Sequence, residues 1–159
     1  MELMEIYVQP GESHLAQGPV ILRTLLGSCV AVAFLATHRG IGALCHPMLP
    51  QCPGAAARGL SPREPRHYVD FAIRELAARF DAFGIPRNAI TVKLFGGADV
   101  LQTFDRSTRL TIGHQNRDAA LRVLREEGFA VAASSLGGTR GLNLSFNTQT
   151  GEVLVRRLN

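Results

Sequence analysis

The 159-residue chain contains no tryptophan, only two tyrosines, and a single lysine, Lys93, among its 17 Lys and Arg residues. Proteins that bind nucleic acid gather basic residues on one face and interleave aromatics for stacking. Here the arginines are scattered from Arg23 to Arg157, and the longest basic run is the pair Arg156-Arg157. The formal charge of +4 fits an acidic protein partner at least as well as nucleic acid. Long apolar runs are also missing. No stretch approaches the ~18 consecutive apolar residues of a membrane-spanning helix. Met1 to Pro10 carries Glu2 and Glu5, without the basic start and apolar stretch of a signal peptide. The expectation is a soluble, cytoplasmic protein with no direct membrane insertion. The three cysteines, Cys29, Cys45 and Cys52, are an odd number in such a chain. This disfavours a disulfide framework and leaves each thiol as a core residue, a metal ligand or a nucleophile.

Hydrophobic residues make up 46% of the chain and charged residues 19%, the composition of a folded globule. The length suits one domain spanning 1–159, with no repeat and no low-complexity tract. The stretch from Pro50 to Pro65 is rich in Pro, Gly and Ala and reads as a surface loop. Before it, Glu5-Val8, Val20-Leu26, Cys29-Ala36 and Ile41-His46 read as strands punctuated by glycine. After it, Val69, Ala72, Ile73, Leu76, Phe80 and Phe83 fall on one face of a helix that Gly84 stops. Ser61 and Glu64 have capping-box spacing ahead of that helix. Ile90-Phe95 reads as a buried strand ending at Gly96-Gly97. A second helix is expected from Asn116 to Glu127, with Ala120, Leu121 and Leu124 inward. Three strands close the chain, at Phe129-Ser134, around Leu142-Phe146 and at Glu152-Leu158. About eight strands in runs, with two helices, favour an α+β sandwich over a doubly wound sheet.

One segment invites chemistry. In Thr24-Leu25-Leu26-Gly27-Ser28-Cys29 a cysteine follows Gly-Ser where one apolar strand ends and the next begins. A turn there exposes backbone N–H groups, so Gly27 and Ser28 are candidate oxyanion donors and Cys29 a candidate nucleophile. A buried, inert thiol is the alternative reading of Cys29. If the strands Cys29-Ala36 and Ile41-His46 form a hairpin turning near residues 37–38, paired positions sum to about 75. Cys29 then faces His46 as a hydrogen-bonded thiol–imidazole pair. A zinc site from Cys29, Cys45, His46 and Cys52 is weaker, because adjacent strand residues point to opposite faces and no C-x-x-C spacing occurs. Gly96-Gly97 and Gly137-Gly138 lack the Gly-Lys-Ser/Thr ending of a phosphate loop and read as tight turns. His14, His38, His67 and His114 read as solvated histidines of loops or helix starts, and Asp99 and Asp105 have no carboxylate partner at useful spacing.

Several of these segments, in this order, resemble the CheD family of chemoreceptor glutamine deamidases: Thr24-Leu-Leu-Gly-Ser-Cys29-Val-Ala-Val, His46-Pro-Met-Leu-Pro50, Lys93-Leu-Phe-Gly-Gly-Ala98, Ile112-Gly-His-Gln-Asn116 and Leu136-Gly-Gly138. Leu144-Ser-Phe146 and Thr150-Gly151-Glu-Val153 extend the likeness towards the C-terminus. The resemblance implies a three-layer α/β/β sandwich with mixed, largely antiparallel sheets, like that of toxin deamidases. It also implies a cysteine hydrolase with nucleophile Cys29, general base His46 and a third, hydroxyl-bearing member at Thr24. No metal or organic cofactor is implied. The implied substrates are glutamines on the cytoplasmic helices of chemoreceptors, with glutamyl methyl esters a second candidate, and the implied partner is a CheC-type phosphatase. Gly113-His-Gln-Asn116 departs from the family's more usual Gly-Glu-Arg-Asn. A non-catalytic adaptor and a cysteine peptidase remain the rival readings.

Overall fold

The computed structural model describes residues 2–54, 64–100 and 110–159. Along these residues run strands β1 (Glu5–Tyr7), β2 (Ser13–Gln17), β3 (Ile21–Leu26), β4 (Val30–Ala36) and β5 (Ile41–Cys45). Helix α1 (Val69–Ala82), strand β6 (Thr91–Gly96), helix α2 (Ile112–Glu126) and strands β7 (Val131–Leu136), β8 (Leu142–Asn147) and β9 (Val153–Arg157) follow. Two sheets form, in the orders β1-β3-β8-β9 and β2-β5-β4-β6-β7. Pairing is parallel at β1–β3 and β6–β7 and antiparallel elsewhere.

Strand β4 shows why the molecule has three layers. All seven of its residues are buried, and their side chains alternate between two cores. Val30, Val32, Phe34 and Ala36 join the helix side with Ile73, Leu76, Phe80 and Leu124. Ala31, Ala33 and Leu35 join the sheet side with Leu22, Leu144 and Phe146. Helices therefore cover one face of the five-stranded sheet and the four-stranded sheet covers the other, which is the α/β/β sandwich. On the helix side Phe34 meets Phe80 and Phe129 at centroid separations of 5.9 and 5.3 Å. Each large side chain buried there contributes roughly 1.5–3 kcal/mol.

Helix α1 matches its apolar periodicity, with Val69, Ala72, Ile73, Leu76 and Phe80 all fully buried. Its N-cap is Tyr68, which gives no side-chain cap. Ser61 of the expected capping box lies outside the described residues, as does Asp105. Helix α2 departs from expectation at its start. It begins four residues before Asn116, capped by Thr111, whose hydroxyl accepts from the His114 N–H at 3.0 Å. Ala119, Ala120, Val123 and Leu124 face inward, whereas Leu121 is 38% exposed. A ninth strand, β2, goes beyond the expected eight. Its Ser-His-Leu-Ala-Gln sequence has no β-branched residue and is a strand because it pairs with β5 at the sheet edge. His14 is thereby a strand residue and not part of a solvated loop.

Candidate active site

The β4–β5 hairpin sets the geometry, in a register that differs from the expected one. Val32 lies opposite Cys45 and Ala36 opposite Ile41. The connection is a 3-10 turn over Thr37–Arg39, closed by Gly40 in the left-handed region at φ 63°. This longer turn moves the pairing by two residues, so Cys29 and His46 are not cross-strand partners. Cys29 precedes β4 and His46 follows β5, so both flank the same end of the hairpin.

His46 is held from two sides. Its backbone N–H donates to the Glu12 carbonyl at 2.9 Å, and its own carbonyl accepts from Gly11 at 2.7 Å. Its ring turns between the sheets towards Thr24, an inward-facing residue of β3, and both side chains are buried. Thr24 Oγ1 lies 2.7 Å from His46 Nδ1 and 2.7 Å from the Val8 carbonyl oxygen. A hydroxyl has one proton, and a carbonyl can only accept. Thr24 therefore donates to Val8 and accepts from His46, which places the neutral imidazole proton on Nδ1. The Nε2 lone pair is left free, and this buried nitrogen has no hydrogen-bond partner among the described residues. Burial pushes the His46 pKa down from 6.5 to about 4, against the opposing pull of the Val8 carbonyl. At neutral pH the ring is an unprotonated base with its acceptor nitrogen available.

Cys29 is half-buried, packed beside the sheet-side core. Desolvation raises its pKa above the ordinary thiol value, while a hydrogen bond from its own backbone N–H pulls it back. Burial thus favours the neutral form of both groups, the thiol by raising its pKa and the imidazole by lowering its own.

The turn carrying Cys29 is fixed through its carbonyls. Gly27 O accepts from Ala98 N at 3.1 Å, and Cys29 O accepts from Gly97 N at 2.8 Å. Ser28 O accepts from Asn116 Nδ2 at 2.9 Å. Carbonyl and N–H point in opposite directions across a trans peptide, so the N–H groups of Ser28 and Cys29 are turned away from these donors. Among the described residues neither finds a backbone acceptor in the turns and loops. Gly96 and Gly97 permit this approach. Gly96 adopts φ +100°, and a Cβ there would sit 2.4 Å from the Cys29 carbonyl. Gly97 adopts φ +65°, with Gly113 O 2.8 Å from where its Cβ would be.

Asn116 is the residue the sequence reading left without a role. It is fully buried on α2, and its Nδ2 donates to Ser28 O and to Met48 O, each at 2.9 Å. One amide group thus ties the turn before Cys29 to the segment after His46, while its buried Oδ1 has no partner among the described residues. The available signal was positional: a polar residue on the same inward helix stripe as Ala120 and Leu124. In the same helix, His114 and Arg117 join a polar network. Arg117 contacts the Gly97 carbonyl at 2.7 Å and His114 Nδ1 at 2.8 Å, and His114 Nε2 reaches Asp118 at 2.9 Å. Asp99 receives the Thr111 hydroxyl and lies 3.6 Å from Arg117. His114 is therefore a networked residue and not a solvated one.

The four candidate zinc donors do not converge. Cys45 points into the helix-side core, where burial pushes its thiol up to about 12, and His46 turns the other way to Thr24. Cys52 is half-buried, its N–H donating to Asp70 at 2.9 Å. Among the described residues no group of three or more His, Cys, Asp and Glu side chains is placed to hold a metal ion. Nor, among them, is any helix long and apolar enough to cross a membrane.

Comparison with known proteins gives a consistent result. A family profile described as CheD chemotactic sensory transduction matches residues 48–157. A protein of Geobacter sulfurreducens named probable chemoreceptor glutamine deamidase CheD 2 is 41% identical over 99% of this chain and 92% of its own. A Maridesulfovibrio salexigens protein named probable chemoreceptor glutamine deamidase CheD is 34% identical over 99% of this chain and 94% of its own. A third, from Methanococcus maripaludis and named likewise, is 32% identical over 97% and 96%. Among solved structures, the Bacillus licheniformis hypothetical protein YfiH superposes with a TM-score of 0.52 at 12% identity, over 77% of this chain and 49% of that one, a likeness of fold. With nearly its whole length aligned to these relatives and the family profile matching 48–157, the chain belongs to the CheD family.

Proposed function

We propose that this protein, a single CheD-type domain over 1–159, deamidates glutamine side chains of chemoreceptors to glutamate in the cytoplasm, using Cys29 as nucleophile and His46 as general base. The observation that carries the reading is the Thr24–His46 hydrogen bond, which leaves Nε2 as a base with no partner among the described residues. The printed names of the relatives supply the substrate class.

Because burial favours the neutral form of both thiol and ring, proton transfer accompanies attack. His46 Nε2 takes the Cys29 proton as Sγ bonds to the carboxamide carbon and the carbonyl electron pair moves onto oxygen. The N–H groups of the Gly27-Ser28-Cys29 turn stabilise that oxyanion. Protonated His46, its other proton held by Thr24, gives its Nε2 proton to the departing amine, releasing ammonia and a thioester. Water then attacks the thioester carbon and gives a proton to His46. The C–S bond breaks and the proton returns to sulfur, leaving glutamate. A glutamyl methyl ester enters at the same first step, with methanol as the leaving group. A CheC-type phosphatase is the partner the family reading adds at this surface.

The test is ammonia release from a purified receptor signalling-domain fragment, comparing wild type with Cys29→Ala and His46→Ala. Release by the wild type alone, with glutamines mapped as glutamates, supports the deamidase and both roles. Binding without ammonia favours the adaptor, and chain cleavage favours the peptidase.

A further inference from the structure

Away from the buried dyad, the outer surface of the four-stranded sheet is unusual for a solvated face. Register aligns Tyr7, Arg23, Ser145 and Leu154 in one row across β1, β3, β8 and β9, and Leu25, Asn143 and Arg156 in the next. Tyr7, Leu25 and Leu154 are 44%, 46% and 60% exposed. Three hollows border this surface, each sharing a lining residue with the next. The first, about 460 Å³, lies between Leu25, Gly27, Arg140 and Leu158 and so opens onto the turn that carries Cys29. The second, about 390 Å³, shares Leu158 and rounds the end of β9 from outward-facing Arg156 to Arg157, which pairs with buried Leu142 and points to the opposite side. The third, about 410 Å³, shares Arg156 and runs over Arg23, Ser145 and Leu154. Among the described residues no Asp or Glu side chain lines any of them. Among the described residues Arg140, Arg156 and Arg157 form no ion pair, and Arg23 has only the exposed Glu5 at 3.3 Å.

We propose that this face docks an acidic amphipathic helix of the substrate, directing the glutamine it carries past Gly27 to Cys29. The proposal rests on the deamidase reading above and adds what that reading lacks, the chemistry of substrate recognition. The occupant follows from the surface. Arginines that meet, among the described residues, no carboxylate but the exposed Glu5 call for acidic groups. Exposed Leu25, Leu154 and Tyr7 call for an apolar stripe, which nucleic acid does not offer. The width from β3 to β9 is two strand spacings, about 10 Å, the diameter of one α-helix. Such a helix, apolar towards Leu25 and Leu154 and acidic towards the arginines, fits as a helix-in-groove ligand.

The experiment uses the full chain and two helical peptides with the same central glutamine, one flanked by glutamates, the other with those glutamates replaced by alanine. Ammonia release and fluorescence anisotropy of labelled peptide are measured for wild type, for the triple variant Arg23→Gln/Arg140→Gln/Arg156→Gln, and for Leu154→Asp. The wild type should favour the acidic peptide by about tenfold in KM and in Kd, with kcat unchanged and the preference fading at high salt. The triple variant should lose that preference and keep its activity on the neutral peptide, and Leu154→Asp should weaken both peptides. A wild type without preference, or a triple variant that retains it, overturns the proposal. Arginine-dependent binding with no ammonia from either peptide leaves the docking face standing and removes the deamidase. Equal ammonia from both peptides does the reverse.

Discussion

On its inner face β3 presents Leu22, Thr24 and Leu26, at most 2% exposed, whereas on its outer face Arg23 and Leu25 stand in water. Alternate residues of one six-residue strand therefore obey different physics. Inside, Thr24 has a single hydroxyl proton and two partners at 2.7 Å, so its bonding has one solution and fixes the state of His46. Unmade hydrogen bonds there cost the full desolvation of the orphaned group. Outside, charges are screened and each contact is worth at most about 1 kcal/mol. The interior can hold a reactive group in one protonation state, and the exterior can only bias what binds beside it.

Substitutions should separate the two faces by size of effect. The largest is expected at the reacting groups, where Cys29→Ala and His46→Gln should each lower kcat for ammonia release by about a thousandfold or more while leaving peptide binding intact. A loss of binding in step with kcat would make these residues part of the docking surface. Second, the interior should make stability depend on pH. His46 titrates near 4 in the fold and near 6.5 when unfolded, so between these values the unfolded chain takes up a proton that the folded chain refuses. Stability should fall by about 3 kcal/mol as pH drops from 6.5 to 4, and His46→Gln should remove that component in urea titrations. Third, Asn116→Ala strands the carbonyls of Ser28 and Met48. It should cost about 2 kcal/mol and lower kcat more than it raises KM, because it loosens the two loops relative to each other. The smallest effect belongs outside. Leu154→Ser should change stability by less than about 0.5 kcal/mol.

The same contrast explains what the sequence disclosed. Apolar periodicity revealed α1, the alternating Leu142-Leu144-Phe146 of β8 and the layered fold, because burial acts on every residue of those elements. It missed β2, whose strand state comes from pairing with β5, and the first turn of α2, where Gly113 masks a helix that must pass 2.2 Å from the Ala98 carbonyl to any added Cβ. The hairpin register slipped by two because Gly40 lengthens the turn through a left-handed residue that spacing does not reveal. Thr24 was named through family resemblance alone, and His46 through a hairpin register two residues away from the observed one as well as through the resemblance. Their contact joins residues of different sheets, and local pattern holds no record of it. Asn116 was visible only as a polar residue on an apolar stripe, and its two acceptors lie 88 and 68 positions away.

The central claim is that Thr24 sets His46 as the Nδ1–H tautomer and frees Nε2 as the base. Long-range ¹H–¹⁵N correlation of ¹⁵N-labelled protein near neutral pH tests it directly. The expected spectrum shows a protonated Nδ1 and an unprotonated Nε2 for His46, with tautomeric averaging appearing in Thr24→Val. An Nε2–H tautomer or an imidazolium at that pH would contradict it.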